Sequence, residues 1–315
     1  MRTTKLASAN IEVSALCLGA MFMGSKNDVV SSYQLLDEYM ALGGTFIDTA
    51  NTYAYWIPGF LGGESETVLG SWMKERKNRS RIFLASKVGF DYPGAQRGLS
   101  AHLIEEECNK SLRRLQTDVI DLHYAHIDDI DTPLEETLEA FYRLHKAGKV
   151  RYIGASNYLA WRLEEARCIS VTHNWLQFCC VQQRFTYLQP KQKRETGRRA
   201  DVNHDLIDYA RLRQFPIMAY GVLLGGAYSR SDRAIGQEYA GPDSDARLAM
   251  LKTIAAETNA TVNQVIIAWM LHNDYPVVPL IAASTREQLR ENLQALDVKL
   301  SSEQMNRLET ISAIL

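Results

Sequence analysis

No stretch of about 18 consecutive apolar residues occurs in this chain, which excludes a conventional membrane-spanning helix. Charge bias is also missing. The 35 Lys and Arg residues nearly balance 37 Asp and Glu, leaving a net charge of −2 and no global attraction to nucleic acid or an anionic membrane. Cysteine is sparse. Cys17, Cys108, Cys168, Cys179 and Cys180 are odd in number and show no C-x-x-C spacing. That pattern argues against a disulfide framework or a structural zinc, and it fits a reducing cytoplasm. The opening 24 residues have the basic start and apolar middle of a secretion signal, but Glu12 and scattered Ser and Asn interrupt the apolar part. Internal repeats and low-complexity segments are absent. What remains is an ordinary globular composition, 46% hydrophobic and 23% charged. At 315 residues, two domains or one barrel-sized domain are both possible.

Short apolar runs recur, each followed by a longer stretch of helical spacing. They predict strands over Ala15–Gly19, Thr45–Asp48, Ile82–Lys87, Val119–His123, Tyr152–Ser156, Leu176–Gln182, Pro216–Tyr220 and Val277–Ile281. Between them, "SSYQLLDEYMALG" places Leu35, Leu36, Tyr39 and Met40 on one helix face and ends on Gly43, a C-terminal stop signal. "TPLEETLEAFYRLHKAGK" opens with a Thr132/Glu135 capping box and Pro133 in the first turn. "DARLAMLKTIAAETNA" and "REQLRENLQAL" share the 3.6-residue period. Eight alternating strand–helix units imply a parallel sheet closed into a (β/α)8 TIM barrel, one domain spanning residues 1–315. The rival, an open doubly wound sheet, lacks its G-x-G-x-x-G turn after the first strand. "TTKLASANIEVSALCLG" predicts an N-terminal hairpin turned at Ser8-Ala9-Asn10, a plug for the barrel floor.

Barrel enzymes carry their chemistry at the C-terminal ends of the strands. Here those ends read Asp48 with Tyr53 just beyond, Lys87, His123 and His126, Ser156-Asn157, Gln182 and Tyr220. Each has a bland alternative. Asp48 can cap the following turn, Lys87 can be solvated, and either histidine can be a rim residue. Together they bring an acid, a phenol, an amine and an imidazole to one bowl. A free Tyr ionises near pH 10, too high for easy proton exchange at neutrality. An adjacent ammonium lowers that value and a buried carboxylate holds the ammonium, so Asp48 would anchor Lys87 and Lys87 would tune Tyr53 as acid–base. Such a site suits proton delivery to a carbonyl oxygen while hydride reaches its carbon. No metal is implied.

The blocks "FIDTANTY", "LASKVG", "DVIDLHYAHIDD", "KAGKVRYIGASNY" and "REQLRENLQALDVKL", in this order, resemble the aldo-keto reductase family from about Lys5 to Leu308. The resemblance implies a (β/α)8 barrel using NADP(H), with a catalytic tetrad at Asp48, Tyr53, Lys87 and His126. The family pattern D-L-Y-x-x-H selects His126 over His123. It further implies that Tyr220 stacks on the nicotinamide, that Ser156, Asn157 and Gln182 hold its carboxamide, and that Met21 and Asp48 border it. The backbone at Gly221, Leu223 and Gly225 would follow the pyrophosphate, and Ser284, Arg286, Gln288 and Asn292 would face the adenosine end. Two departures weaken the NADP(H) assignment: Ala282 stands where Lys is frequent and Gln288 where Arg is often found, so NAD(H) stays open. Tyr55 and Trp56, in the insert "AYWIPGFLGGESE", are read as an apolar substrate wall. The basic stretch Lys191, Lys193, Arg194, Arg198 and Arg199 is read as a solvated loop or an anion-greeting one. The expected partner is a small carbonyl or alcohol, whether aldehyde, ketone or sugar. The alternatives are an NAD-dependent sugar or alcohol dehydrogenase and a cofactor-binding regulatory subunit like the potassium-channel β subunits.

Overall fold

The computed structural model describes residues 1–6, 11–191 and 200–310. Two short strands, β1 (Thr3–Leu6) and β2 (Ile11–Ser14), pair antiparallel. The remaining strands are β3 (Cys17–Gly19), β4 (Phe46–Asp48), β5 (Phe83–Val88), β6 (Ile120–Ala125), β7 (Val150–Ser156), β8 (Phe178–Arg184), β9 (Ile217–Tyr220) and β10 (Val277–Ile281). They pair in parallel from β3 to β10, and β10 closes on β3. All eight predicted barrel strands are present, with ends shifted by a few residues.

The helices around them are α1 (Val29–Ala41), α2 (Glu64–Arg76), α3 (Ala101–Leu115), α4 (Leu134–Lys146), α5 (Ala160–Thr172), α6 (His204–Arg213), α7 (Pro242–Thr258), α8 (Val262–Leu271), α9 (Arg286–Gln294) and α10 (Ser302–Thr310). At the end of α1, Gly43 takes the left-handed φ of 85° that a Schellman stop needs, and the Gly44 N–H returns to Tyr39 O at 2.8 Å. The α4 start differs from expectation. The helix begins at Leu134 behind Pro133, so Glu135 sits one position too early to close a capping box. Thr132 instead donates to Asp129 Oδ2 at 2.7 Å, and Glu136 accepts the Ala101 N–H at 2.9 Å, serving the start of α3.

Side chains alternate across each strand, and this divides the core in two. Ile47, Leu84, Ile153, Val181 and Ile217 point outward and join the large cluster between barrel and helices. Cys17, Phe46, Ala85, Leu122, Tyr124, Cys180, Met218 and Val278 fill the barrel interior. Leu6 and Val13 of the hairpin are fully buried in this inner cluster, so the hairpin closes the N-terminal end of the barrel, as predicted. Each contributes on the order of 1.5–3 kcal/mol by leaving water. The hairpin turn predicted at Ser8-Ala9-Asn10 lies outside the described residues. Gly154 permits the interior packing, since a Cβ there would lie 2.6 Å from Tyr124 Cε1.

Candidate active site

The same alternation fixes what crowns the barrel. Above Phe46, Ala85, Gly154, Cys180 and Met218, two residues along each strand, stand Asp48, Lys87, Ser156, Gln182 and Tyr220. On β6, Leu122 and Tyr124 face inward, so His126 continues the inward series, while His123 faces outward against Phe141 of α4 at 5.7 Å between ring centroids. Period 2 alone, applied to "DLHYAH", separates the two histidines. Burial depresses the His123 pKa to about 4, so the ring is neutral and its Nδ1–H donates to Ser86 O at 3.2 Å.

Lys87 is completely buried and all three of its ammonium hydrogens have acceptors. It donates to Asp48 Oδ1, to Thr49 O at 2.7 Å and to Tyr53 Oη at 2.8 Å. Gln182 Nε2 donates to the other Asp48 oxygen at 2.8 Å. Because Tyr53 Oη accepts from Lys87, its own hydrogen is left for an acceptor other than Lys87. Burial alone would depress the Lys87 ammonium, but Asp48 and Tyr53 outweigh it and its pKa stands above the ordinary value. Burial raises the Asp48 carboxyl, opposed by Lys87, Gln182 and Tyr53.

The Tyr53 phenol departs from expectation. Burial and Asp48 push it up while Lys87 pulls it down, and the balance is a pKa of about 12, not a lowered one. Desolvation of the phenolate wins over the one neighbouring cation. Tyr53 therefore carries its proton throughout the neutral range, the state a proton donor requires. The His126 ring lies edge-on to Tyr53, with centroids 6.2 Å apart, and edge-on to Phe90 at 4.6 Å.

Asn157, at a left-handed φ of 63°, links three strand ends. Its Nδ2 donates to His126 O at 2.9 Å and to Ser156 Oγ at 3.1 Å, and its Oδ1 accepts the Tyr220 hydroxyl at 3.0 Å. Beyond Tyr220 opens a cavity of about 350 Å³ lined by Gly221, Leu224, Gly225, Gly236 and Arg184, among others. A Cβ at Gly225 would meet nothing within 4 Å, so the backbone there is open to close approach. Arg184 was missed in the sequence, although it follows Gln182 at the inward-facing period of β8. Its Nη2 donates to Tyr239 Oη, and Asp201 lies 3.7 Å from its Nε.

The remaining expected positions fall at different distances from this centre. Met21 lies half-buried in the turn after β3, and Leu223 packs on the outer core. At the α9 end, Gln288 Oε1 accepts the Ser284 N–H at 2.8 Å and Asn292 Nδ2 donates to Ala282 O at 3.1 Å. Arg286 turns away to Glu38 of α1, donating to its Oε2, while Arg290 donates to the other oxygen, Oε1. Tyr55 and Trp56 stand exposed at the rim, stacked edge-on at 5.5 Å, with Trp56 edge-on to Tyr53 at 6.1 Å. Of the basic stretch, Lys191 pairs with Asp243, while Lys193, Arg194, Arg198 and Arg199 lie outside the described residues. Among the described residues, no group of three His, Cys, Asp or Glu side chains is placed to hold a metal, and no helix is long and apolar enough to cross a membrane.

The sequence profile of the Aldo/keto reductase family matches residues 15–313, nearly the whole chain. The chain belongs to the aldo/keto reductase family. Its relatives include an uncharacterized oxidoreductase of Bacillus subtilis, 30% identical over 99% of this chain and 96% of the relative. Norsolorinic acid reductase A of Aspergillus parasiticus is 29% identical over 96% of this chain and 78% of that protein. A putative aryl-alcohol dehydrogenase of Saccharomyces cerevisiae is 31% identical over 96% and 84% respectively. This aldo/keto reductase is thus an oxidoreductase of carbonyl and alcohol groups.

Proposed function

We propose that this chain reduces aldehydes and ketones with an aromatic or bulky apolar substituent, using NADPH with tolerance for NADH. The observation that carries this reading is the Lys87 ammonium, which donates to both Asp48 and Tyr53 and so holds the phenol oxygen beside a buried cation. A bound nicotinamide supplies the hydride. Tyr53 gives the proton, Lys87 steadies the phenol oxygen as the proton leaves, and Asp48 fixes Lys87. His126 offers a second contact to the same substrate oxygen.

Cofactor binding fits the residues present. Tyr220 would stack on the ring, and Ser156, Asn157 and Gln182 would hold the carboxamide, with Met21 and Asp48 alongside. Gly221, Leu223 and Gly225 would follow the pyrophosphate, where Gly225 leaves open space. Ser284, Gln288 and Asn292 would serve the adenosine end. Arg286 and Arg290 both pair with Glu38, which favours a weakened grip on a 2′-phosphate and supports keeping NADH as a second cofactor.

For the substrate, aromatic rings flank the two groups that meet its oxygen: Trp56 beside Tyr53 and Phe90 beside His126. The names norsolorinic acid reductase and aryl-alcohol dehydrogenase among the relatives point the same way. Initial rates over a panel of benzaldehydes, alkyl aldehydes and aldoses, each with NADPH and NADH, test the reading. It predicts the highest kcat/KM for aryl aldehydes. Preferred turnover of aldoses, or tight cofactor binding with no turnover of any carbonyl, would overturn it.

A further inference from the structure

The loop that presents Tyr53, residues 49–63 between β4 and α2, has little regular structure of its own. Beside its backbone ties to β5, it is held by one buried carboxylate that the chemistry above does not use. Glu107, on α3, is 2% exposed. Its Oε2 accepts Asn51 Nδ2 at 2.8 Å and Tyr92 Oη at 2.6 Å, and its Oε1 accepts Lys110 Nζ at 2.7 Å. Asn51 lies two residues before Tyr53, and its N–H also reaches Lys87 O at 3.3 Å. Tyr92 lies on the loop that leaves β5, the strand carrying Lys87, and there Thr52 Oγ1 meets Asp91 O at 3.4 Å. One carboxylate therefore ties the Tyr53 loop and the loop after Lys87 to the same helix.

We infer that Glu107, through Asn51, is a positioning residue that fixes Tyr53 at hydrogen-bond distance from Lys87. Two points separate this role from general stability. A buried carboxylate with three donors is conformationally restrained, because any rotation strands a charge away from its partners. And the element it restrains, the loop carrying Asn51 and Tyr53, is the one whose displacement changes the Tyr53–Lys87 distance of 2.8 Å. An error of about 1 Å in such a distance costs as much as a hundredfold in rate, even when its origin is away from the reacting atoms.

The inference rests on Tyr53 as the proton donor, and the experiment tests the two separately. Glu107→Ala, Asn51→Ala and Glu107→Gln are compared in steady-state aldehyde reduction, with cofactor affinity measured independently by fluorescence quenching of the protein. For Glu107→Ala and Asn51→Ala we expect kcat to fall roughly ten- to hundredfold, with the substrate KM and the cofactor Kd within about twofold. Glu107→Gln keeps an acceptor for Asn51 and Tyr92, and Lys110 retains Glu106 at 2.8 Å. It is therefore expected to recover most of the lost turnover, to within about threefold of the parent. Asn51→Ala keeps the test open if Glu107→Ala fails to fold, because it removes one loop amide and leaves the carboxylate with its other two donors. Parental kcat in folded Asn51→Ala would overturn the inference, as would losses carried by KM and Kd instead of kcat. Tyr53→Phe in the same assay distinguishes the failures. If it is inactive while Asn51→Ala is normal, only the positioning role falls. If Tyr53→Phe turns over normally, the proton-donor reading falls with it.

Discussion

Removing the Lys87 ammonium exposes the electrostatics of the site most clearly. Lys87→Met keeps volume and burial but deletes the donor to Asp48, Thr49 O and Tyr53. Asp48, 1% exposed, keeps the neutral partners Gln182 and Tyr53 but no cation. Breaking a buried pair from one side costs about 3–5 kcal/mol, because the remaining charge has lost its compensation. Asp48→Asn should cost a comparable amount by stranding Lys87. The double variant should cost far less than the sum, since both charges are gone, leaving a coupling of about 3 kcal/mol in the cycle. The pH dependence follows from the direction of the Asp48 shift. Its folded pKa is already raised by burial and rises further without Lys87. The Lys87→Met variant should therefore be most stable in acid and lose stability as pH rises through that pKa. Urea unfolding of the four proteins at pH 5 and pH 8, followed by circular dichroism, measures all of this. Additive losses below about 1 kcal/mol each, independent of pH, would refute the buried-pair account.

Three further outcomes are expected. His123 is held near a pKa of about 4 in the fold against an ordinary 6.5, so its neutral burial stabilises the protein above pH 6.5, a contribution lost as pH falls toward 4. That gap corresponds to about 3 kcal/mol, and His123→Gln should flatten the acid arm of the stability curve between those pH values. Gly154→Ala places a methyl 2.6 Å from the buried Tyr124 ring and should cost about 1–3 kcal/mol in urea unfolding; no loss would mean that the barrel interior is looser than described. Glu38→Gln releases Arg286 and Arg290 and should tighten NADP⁺ binding several-fold while leaving NAD⁺ within about twofold, read by titration calorimetry; equal changes for both would remove Glu38 from cofactor selection.

The barrel was legible because its signal is repeated. Eight apolar runs, each bounded by turn residues and followed by helical spacing, admit few topologies, and the period of 2 within each run assigns Asp48, Lys87, Ser156, Gln182 and Tyr220 to one face. The placement of His126 over His123 was readable by the same rule. What escaped depends on partners far apart in sequence. Thr132 had a local role open to it as a cap, but Asp129 competes for its hydroxyl and Pro133 shifts the helix start. Arg286 looked available because nothing near it in sequence is acidic on the right face, and its partner Glu38 is 248 residues away. Lys87 does pull the Tyr53 pKa down, as expected, but burial outweighs it, and the depth of burial cannot be guessed from motifs as neighbours can. The Glu107 contacts to Asn51 and Tyr92 carry no sequence signature at all.

The claim on which the rest depends is that the hydroxyl of Tyr53, not that of Tyr55, delivers the proton. Single-turnover reduction of an aryl aldehyde by protein preloaded with NADPH, compared for Tyr53→Phe and Tyr55→Phe, addresses it directly. The account predicts a loss of about 10²- to 10⁴-fold in the chemical step for Tyr53→Phe with cofactor affinity retained, and a change of less than about tenfold for Tyr55→Phe. A parental rate in Tyr53→Phe, or a collapse confined to Tyr55→Phe, would contradict it.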